Sequence, residues 1–305
     1  MNALAIDIGG TNTKVALVSG SGDTGEITTF ATSAGKAPEL IASIRDAAQR
    51  CCGGALIRGA GVAVAGFLNP ARDRLIYNPN LPWLCEFPLK DSLSGALGVG
   101  VTLEVDSNAA CLGEFCFGVA RGSRRFMCLV AGTGLGGGMM MDGALLRFTG
   151  ECIGDVGHVV VDRDGPECAC GGRGCAEAVA GAAAIVANAH SGATLRDVIE
   201  NARRGDVHAV NALAAAGRAV GVAAASLAQV FFPDRIALAG GLTEAGDLVL
   251  DPAAEWFRRA VNADARERVA LIKASLGWRA TLIGAAAPWL GDSEVEGASG
   301  GDRSR

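Results

Sequence analysis

Charge is scarce in this sequence: only 19% of the 305 residues are Asp, Glu, Lys or Arg, and the net charge is −5. No dense run of Lys or Arg occurs, so the basic stripe that a nucleic-acid partner requires is missing. The first residues, Met1 to Asp7, lack a basic leader segment, and their apolar run meets an acid almost at once. They read as a first strand and not as a secretion signal. The longest apolar stretch, Ala219 to Phe232, is shorter than a bilayer requires and follows Arg218. A cytoplasmic protein with no membrane partner is expected.

Half the residues are apolar, which is ample material for a core. The length favours two domains over one. Ten cysteines in so long a chain without an export signal point to metal binding or reduced core thiols, not to a disulfide framework. Cys111, Cys116 and Cys128 lie in apolar segments and read as core residues. Cys168, Cys170 and Cys175 instead crowd into eight positions with Gly171, Gly172 and Gly174. With His158 they make three thiolates and one imidazole, the complete tetrahedral set of a structural zinc site.

Strands are expected at Leu4–Ile8, Lys14–Val18, Gly61–Ala65, Val101–Val105, from Phe126, at Ile236–Ala239 and at Val269–Lys273. Helices are expected over Pro38–Arg50, from an N-cap at Ser107 to Phe117, through much of the Ala-rich run from Val207 to Phe232, over Pro252–Val261 and over Thr281–Leu290. Their alternation is that of an α/β protein. The final residues, 293–305, are polar and rich in Gly and Ser, and read as a disordered tail.

Two glycine loops repeat one plan, a strand, a Gly/Thr turn and a second strand. The first is Gly9-Gly10-Thr11-Asn12 after Asp7, and the second runs Gly132-Thr133-Gly134 to Gly138. Glycines free backbone N–H groups to close on phosphate oxygens, a threonine hydroxyl adds a donor, and a carboxylate such as Asp7 is suited to holding Mg²⁺ through water. The paired loops imply a nucleotide held in a cleft between two halves. Gly132, Gly134 and Gly137 match the dinucleotide spacing, but an Asp142-Gly143 hairpin signal follows where that motif demands a helix. Neither loop ends in Gly-Lys-Ser/Thr, which excludes a P-loop.

The series DIGGTNTK (7–14), VDSNAACLGE (105–114), GTGLGGG (132–138), GDVGH (154–158), ECACGGRGCAE (167–177) and ALAGGL (237–242) resembles the ROK family of repressors and sugar kinases. The resemblance implies the actin-like ATPase (sugar kinase) fold, with two α/β domains flanking a nucleotide cleft. The expected domains are a small one at 1–117 plus 281–292 and a large one at 118–280 that carries the zinc loop. The first loop starts at Asp7, which leaves no room for the DNA-binding domain of ROK repressors. By resemblance Asp106 is the catalytic base. Gly66, Asn80, Asp155, His158 and Glu177 reach the sugar. Gly240 and Gly241 join Asp7, Gly9–Asn12, Thr133 and Gly134 around ATP and Mg²⁺, and His158, Cys168, Cys170 and Cys175 hold Zn²⁺.

The implied activity is ATP-dependent phosphorylation of a hexose, at the 6-hydroxyl, with glucose as the default. The alternatives are a kinase of N-acetylmannosamine, another amino sugar or a cyclitol, or a sugar-binding regulator with weakened catalysis. The family also implies a homodimer or homotetramer. Two positions depart from its pattern. Val105 stands where the family has Asn before the catalytic acid, and Asp155 where it has Glu. Valine neither donates nor accepts, so both departures bear on which sugar is taken.

Overall fold

Strand β1 (Asn2–Ile8) is apolar on both faces from Ala3 to Ile6, as a central strand must be. In this computed structural model, which describes all residues except 33, 34, 149–153, 191, 193 and 292–305, the chain continues through β2 (Asn12–Ser19), β3 (Thr28–Ala31), α1 (Ala37–Cys52) and β4 (Ala60–Val64). A short hairpin, β5 (Phe67–Leu68) and β6 (Leu75–Tyr77), leads to α2 (Leu89–Leu97), β7 (Val101–Val105) and α3 (Asp106–Phe117). Then come β8 (Arg125–Ala131), β9 (Leu135–Met141), β10 (Ala144–Leu145), α4 (Glu177–Ala180), α5 (Ala182–Ala189), α6 (Leu195–Arg203) and α7 (Val207–Phe231). The chain closes with β11 (Arg235–Ala239), α8 (Asp247–Ala260), α9 (Ala263–Arg268), β12 (Ala270–Lys273) and α10 (Ala280–Ala286). The expected disordered tail lies outside the described residues.

The residues group into two compact units. The first takes Met1–Phe117, Met139–Cys152 and Arg279–Arg305; the second takes Gly118–Gly138 and Ile153–Trp278. The first unit holds a five-stranded sheet in the order β3-β2-β1-β4-β7, with β1, β4 and β7 parallel and β2 antiparallel to β1. Helix α1 buries Leu40, Ile41 and Ile44, starts with Pro38 in its first turn and stops at Gly53 in the left-handed conformation. Helix α10 crosses α3 at contact distance. A Cβ on Gly284 would stand 1.7 Å from the Ala109 carbonyl oxygen, and one on Gly113 would stand 2.3 Å from that of Ala280. Both positions must stay glycine for the helices to meet. We expect Gly284→Ala to lower the melting temperature by about 5 °C or more, as overpacking against backbone does, in a thermal-shift measurement.

The second sheet has the order β10-β9-β8-β11-β12, with β8, β11 and β12 parallel. Helix α7 begins at the capping side chain of Asp206, which accepts from the His208 and Ala209 N–H groups. At 25 residues it is longer than the apolar stretch legible in the sequence, and by length and composition it could cross a membrane. Yet 61% of its apolar window is buried within the protein, which makes it a core helix. Two expected boundaries are corrected. Helix α3 starts at Asp106, so Ser107 is a buried residue inside the first turn and not the cap. Helix α8 starts at Asp247 and carries Pro252 in its interior.

Candidate active site

Parallel strands present their carboxyl ends on one edge, where open α/β sheets carry their chemistry. In the first unit the register places Ile8, Val64 and Val105 side by side at the ends of β1, β4 and β7. The residues that follow them are the Gly9–Asn12 loop, Gly66 and Asp106. One edge thus gathers the expected phosphate loop, the glycine expected at the sugar and the expected base.

The loop is closed by a Gly9 N–H donating to the Asn12 carbonyl at 3.0 Å, and by Thr32 Oγ1 donating to the Gly9 carbonyl at 2.7 Å. Thr11 and Asn12 are exposed. Asp7 lies opposite Lys14 across β1 and β2, and their ion pair spans 2.8 Å. Gly66 takes φ +104, and a Cβ there would meet the Tyr77 carbonyl oxygen at 2.3 Å. Asn80 abuts Gly10, whose added Cβ would lie 3.0 Å from that of Asn80.

Asn78, only 2% exposed, holds this corner together. Its Nδ2 donates to the Ala65 carbonyl at 2.8 Å, while its Oδ1 accepts from the Asn80 and Leu81 N–H groups at 2.8 and 3.0 Å. No sequence motif marks this residue. The repeated Asn around Pro79 was the available signal.

Asp106 is the first residue of α3, and its Oδ1 accepts from the Ser107 N–H at 2.7 Å. Burial, with the nearby Asp7 charge second, pushes its carboxyl up to about 6. Val105, one residue earlier, is 6% exposed and packs in the apolar core of this unit. It offers the edge no polar group.

In the second unit, β8 and β11 are parallel neighbours, so the loop after Ala131 and the loop after Ala239 emerge together. Gly240 takes φ +89 beside Ala131, whose carbonyl oxygen would lie 2.3 Å from any Cβ there. This contact keeps the Gly240-Gly241 loop against the Gly132–Gly134 loop. Gly132 N–H donates to the Gly134 carbonyl at 2.9 Å, and Thr133 is exposed at the tip.

Glu177 reaches that same loop. Its Oε2 accepts from the Leu135 N–H at 2.8 Å and occupies the space that a Cβ on Gly134 would need. One oxygen of this expected sugar ligand is therefore engaged with the second glycine loop, a tie between residues 42 positions apart that the sequence does not reveal.

Two residues before Glu177 stands Cys175, a member of the one cysteine-rich group among the described residues that could hold a metal. The ligand atoms of His158, Cys168, Cys170 and Cys175 lie within 4.8 Å of one another. Cys170 Sγ is 3.7 Å from Cys175 Sγ, and Cys168 Sγ is 3.5 Å from His158 Nδ1. A tetrahedral zinc with arms of about 2.0–2.3 Å has edges of about 3.3–3.8 Å, so the donor set and these two separations fit zinc. His158 turns its other nitrogen, Nε2, toward Asp155 Oδ2 at 3.4 Å. A carboxylate behind a ligating imidazole is the usual way to orient the ring.

The expected site residues thus fall into two sets, each assembled within its own unit. Asp7, Gly9–Asn12, Gly66, Asn80 and Asp106 share the edge of the first sheet. Thr133, Gly134, Gly240, Gly241 and Glu177 share one end of the second, with Asp155, His158 and the three cysteines reached through Cys175 and Glu177.

Known proteins resemble this chain over most of its length. A glucokinase of Streptomyces coelicolor is 33% identical over 306 residues, covering 93% of this chain and 96% of its own. An N-acetylmannosamine kinase of Citrobacter koseri is 34% identical over 222 residues, 69% of this chain and 73% of its own. The crystal structure of a ROK family glucokinase from Streptomyces griseus, in complex with glucose and AMPPNP, matches with a TM-score of 0.83 at 32% identity, over 95% of this chain and 99% of that one. The fold is accordingly the actin-like fold of the ROK sugar kinases. Residues 3–291 match the ROK family, and the chain belongs to it.

Proposed function

We infer that the protein is an ATP-dependent sugar kinase that phosphorylates a hexose hydroxyl, with Asp106 as the base. The observation that carries this reading is the placement of Asp106 at the carboxyl end of β7, beside the first phosphate loop, with its carboxyl raised to about 6. A base poised near neutrality is ionised in the cell, yet basic enough to draw the proton from an alcohol as the phosphoryl group arrives. Relatives named for glucose and for N-acetylmannosamine, and a similar structure holding glucose and AMPPNP, support a hexose acceptor and ATP as donor.

The residues divide the work by chemistry. The N–H groups of Gly9–Asn12 and of Thr133–Gly134 are suited to phosphate oxygens, with Gly240 and Gly241 on the adenosine side. Gly66, Asn80, Asp155, His158 and Glu177 are the residues assigned to the sugar. Asp7, a hard oxygen ligand near Asp106, is suited to hold Mg²⁺, which when bound neutralises phosphate charge. His158, Cys168, Cys170 and Cys175 would hold a structural zinc, which would order the segment that carries Asp155 and Glu177. A cytoplasmic enzyme acting at the 6-hydroxyl fits these assignments.

The sugar itself turns on Val105 and Asp155. Val105 is committed to the core and supplies no hydroxyl partner. Asp155 is drawn to His158, which leaves its shorter side chain less free to reach a substrate. Glucose is the first expectation, and an N-acetylated amino sugar or a cyclitol is the second.

ADP release in a coupled assay over glucose, mannose, N-acetylmannosamine, N-acetylglucosamine and a cyclitol ranks these readings. We expect one acceptor to exceed the others by about 10-fold or more in kcat/KM, as hydroxyl-reading sites discriminate. A protein that is thermally stabilised by a sugar but turns over none of the panel would be a binding regulator instead.

A further inference from the structure

Glu104 is a buried carboxylate that the reaction as described does not use. It lies on β7 two residues before Asp106 and is 5% exposed. Its Oε2 accepts from the Nη2 groups of two arginines, Arg72 at 2.8 Å and Arg147. Its Oε1 accepts from the Val105 N–H at 3.1 Å and from Asn108 Nδ2 at 2.9 Å. Arg72 Nη2 donates as well to the Leu103 carbonyl at 2.7 Å. Every one of these bonds ends on the last three residues of β7 or the first turn of α3, the backbone from which Asp106 projects.

The arginines come from elsewhere in the chain. Arg72 sits in the turn between β5 and β6 and holds φ +52, a left-handed conformation that costs a non-glycine residue energy. Arg147 follows β10. Their side chains are 25% and 17% exposed, and the Nε of each is buried without a hydrogen-bond partner. One carboxylate facing two guanidiniums leaves a surplus positive charge in a site largely withdrawn from water, and burial works against the charged form of Arg72.

As a contribution to stability this arrangement is poor. Buried ion clusters can often be replaced by apolar groups with no loss, and orphaned buried N–H groups add to their cost. What the cluster does well is hold geometry. It binds a strained turn and a distant segment to the junction that aims the base.

We propose that Arg72 and Arg147 are positioning residues, which act through Glu104 to hold the β7–α3 junction so that Asp106 is aimed at the acceptor hydroxyl. The inference rests on Asp106 being the base. Arg147→Met leaves a one-to-one pair of Arg72 and Glu104, so the variant is expected to fold. Its melting temperature should equal or exceed that of the wild type, its KM values for ATP and sugar should stay put, and its kcat should fall about 10–100-fold, the effect of a small misplacement of a catalytic group. Arg72→Met, measured in the same way, covers the case in which Arg147→Met does not fold. Wild-type kcat in a folded variant overturns the proposal, as does a loss of kcat that merely tracks a loss of melting temperature. Asp106→Asn, run beside them, separates the two layers. If it retains turnover, the base assignment fails. If it is dead while Arg147→Met is fully active, the positioning role alone fails.

Discussion

Asp106→Asn is expected to lose about 10²–10⁴-fold in kcat, the usual worth of a general base, while melting at a higher temperature than the wild type. The second half follows from the direction of the shift. Asp106 is raised to about 6 by burial and by Asp7, whereas an unfolded aspartate ionises near about 3.9. Below about pH 4 both states hold the proton and no penalty exists. Between about 4 and 6 the unfolded chain releases its proton first, so stability falls as pH rises; above about 6 the loss is complete. At neutral pH the ionised, buried carboxylate therefore costs about 1–3 kcal/mol, and a neutral isosteric amide avoids that cost. For a chain of this size the gain corresponds to about 2–6 °C in Tm.

The same carboxyl sets the pH profile. In the wild type, kcat/KM should fall about tenfold per pH unit below about 6 and be level just above it. Steady-state kinetics and calorimetry on one preparation check both halves. An active variant removes Asp106 from the chemistry, and an inactive but less stable one makes it a structural residue.

Removal of zinc should damage both substrates' binding and not the sugar's alone. The purified protein is expected to carry one zinc per chain, measured by elemental analysis, and Cys170→Ser or Cys168→Ser should lower that content. Asp155 touches a proposed zinc ligand directly, and Glu177 lies two residues beyond another. Because Glu177 also accepts from the Leu135 N–H beside the second glycine loop, the proposed nucleotide loop, disturbance at the cysteines has a route to nucleotide binding. We expect KM for sugar to rise about 10–100-fold and KM for ATP to rise by a smaller factor, with kcat less affected, the pattern of lost ground-state binding. A metal-free protein of native stability and full activity would remove zinc from the account.

What the sequence made legible was local. Asp7 with its glycine loop and the four candidate zinc ligands each sit in a short run whose residue types suggest a chemistry, whereas Asp106 stands out only through the family resemblance. The larger strands and helices announced themselves by periodicity. The strands of the β5–β6 hairpin, two and three residues long, are too short to show any alternation, and β3 and α2 were likewise not anticipated. The ties that brace the site were hidden for a different reason. Arg72 and Arg147 reach Glu104 from 32 and 43 positions away, and Glu177 reaches Leu135 across 42. No spacing rule links such partners, since tertiary folding alone brings them together. Ser107, a good cap by type, would start α3 at Asn108, while the chain enters the helix two residues earlier, at Asp106.

The crossing of α10 on α3 has a consequence for how the protein is made. The first unit includes the earliest residues of the chain, but it also needs Arg279 onward, where Gly284 seats against Ala109. The second unit, by contrast, is complete once Trp278 has been synthesised. On the ribosome, the part begun first is therefore finished last. Its sheet must wait for the C-terminal helix that packs on β1, β4 and β2. A chain cut short just before Arg279 would leave the second unit whole and the first permanently open, and it is that exposed sheet that chaperones and proteases would meet.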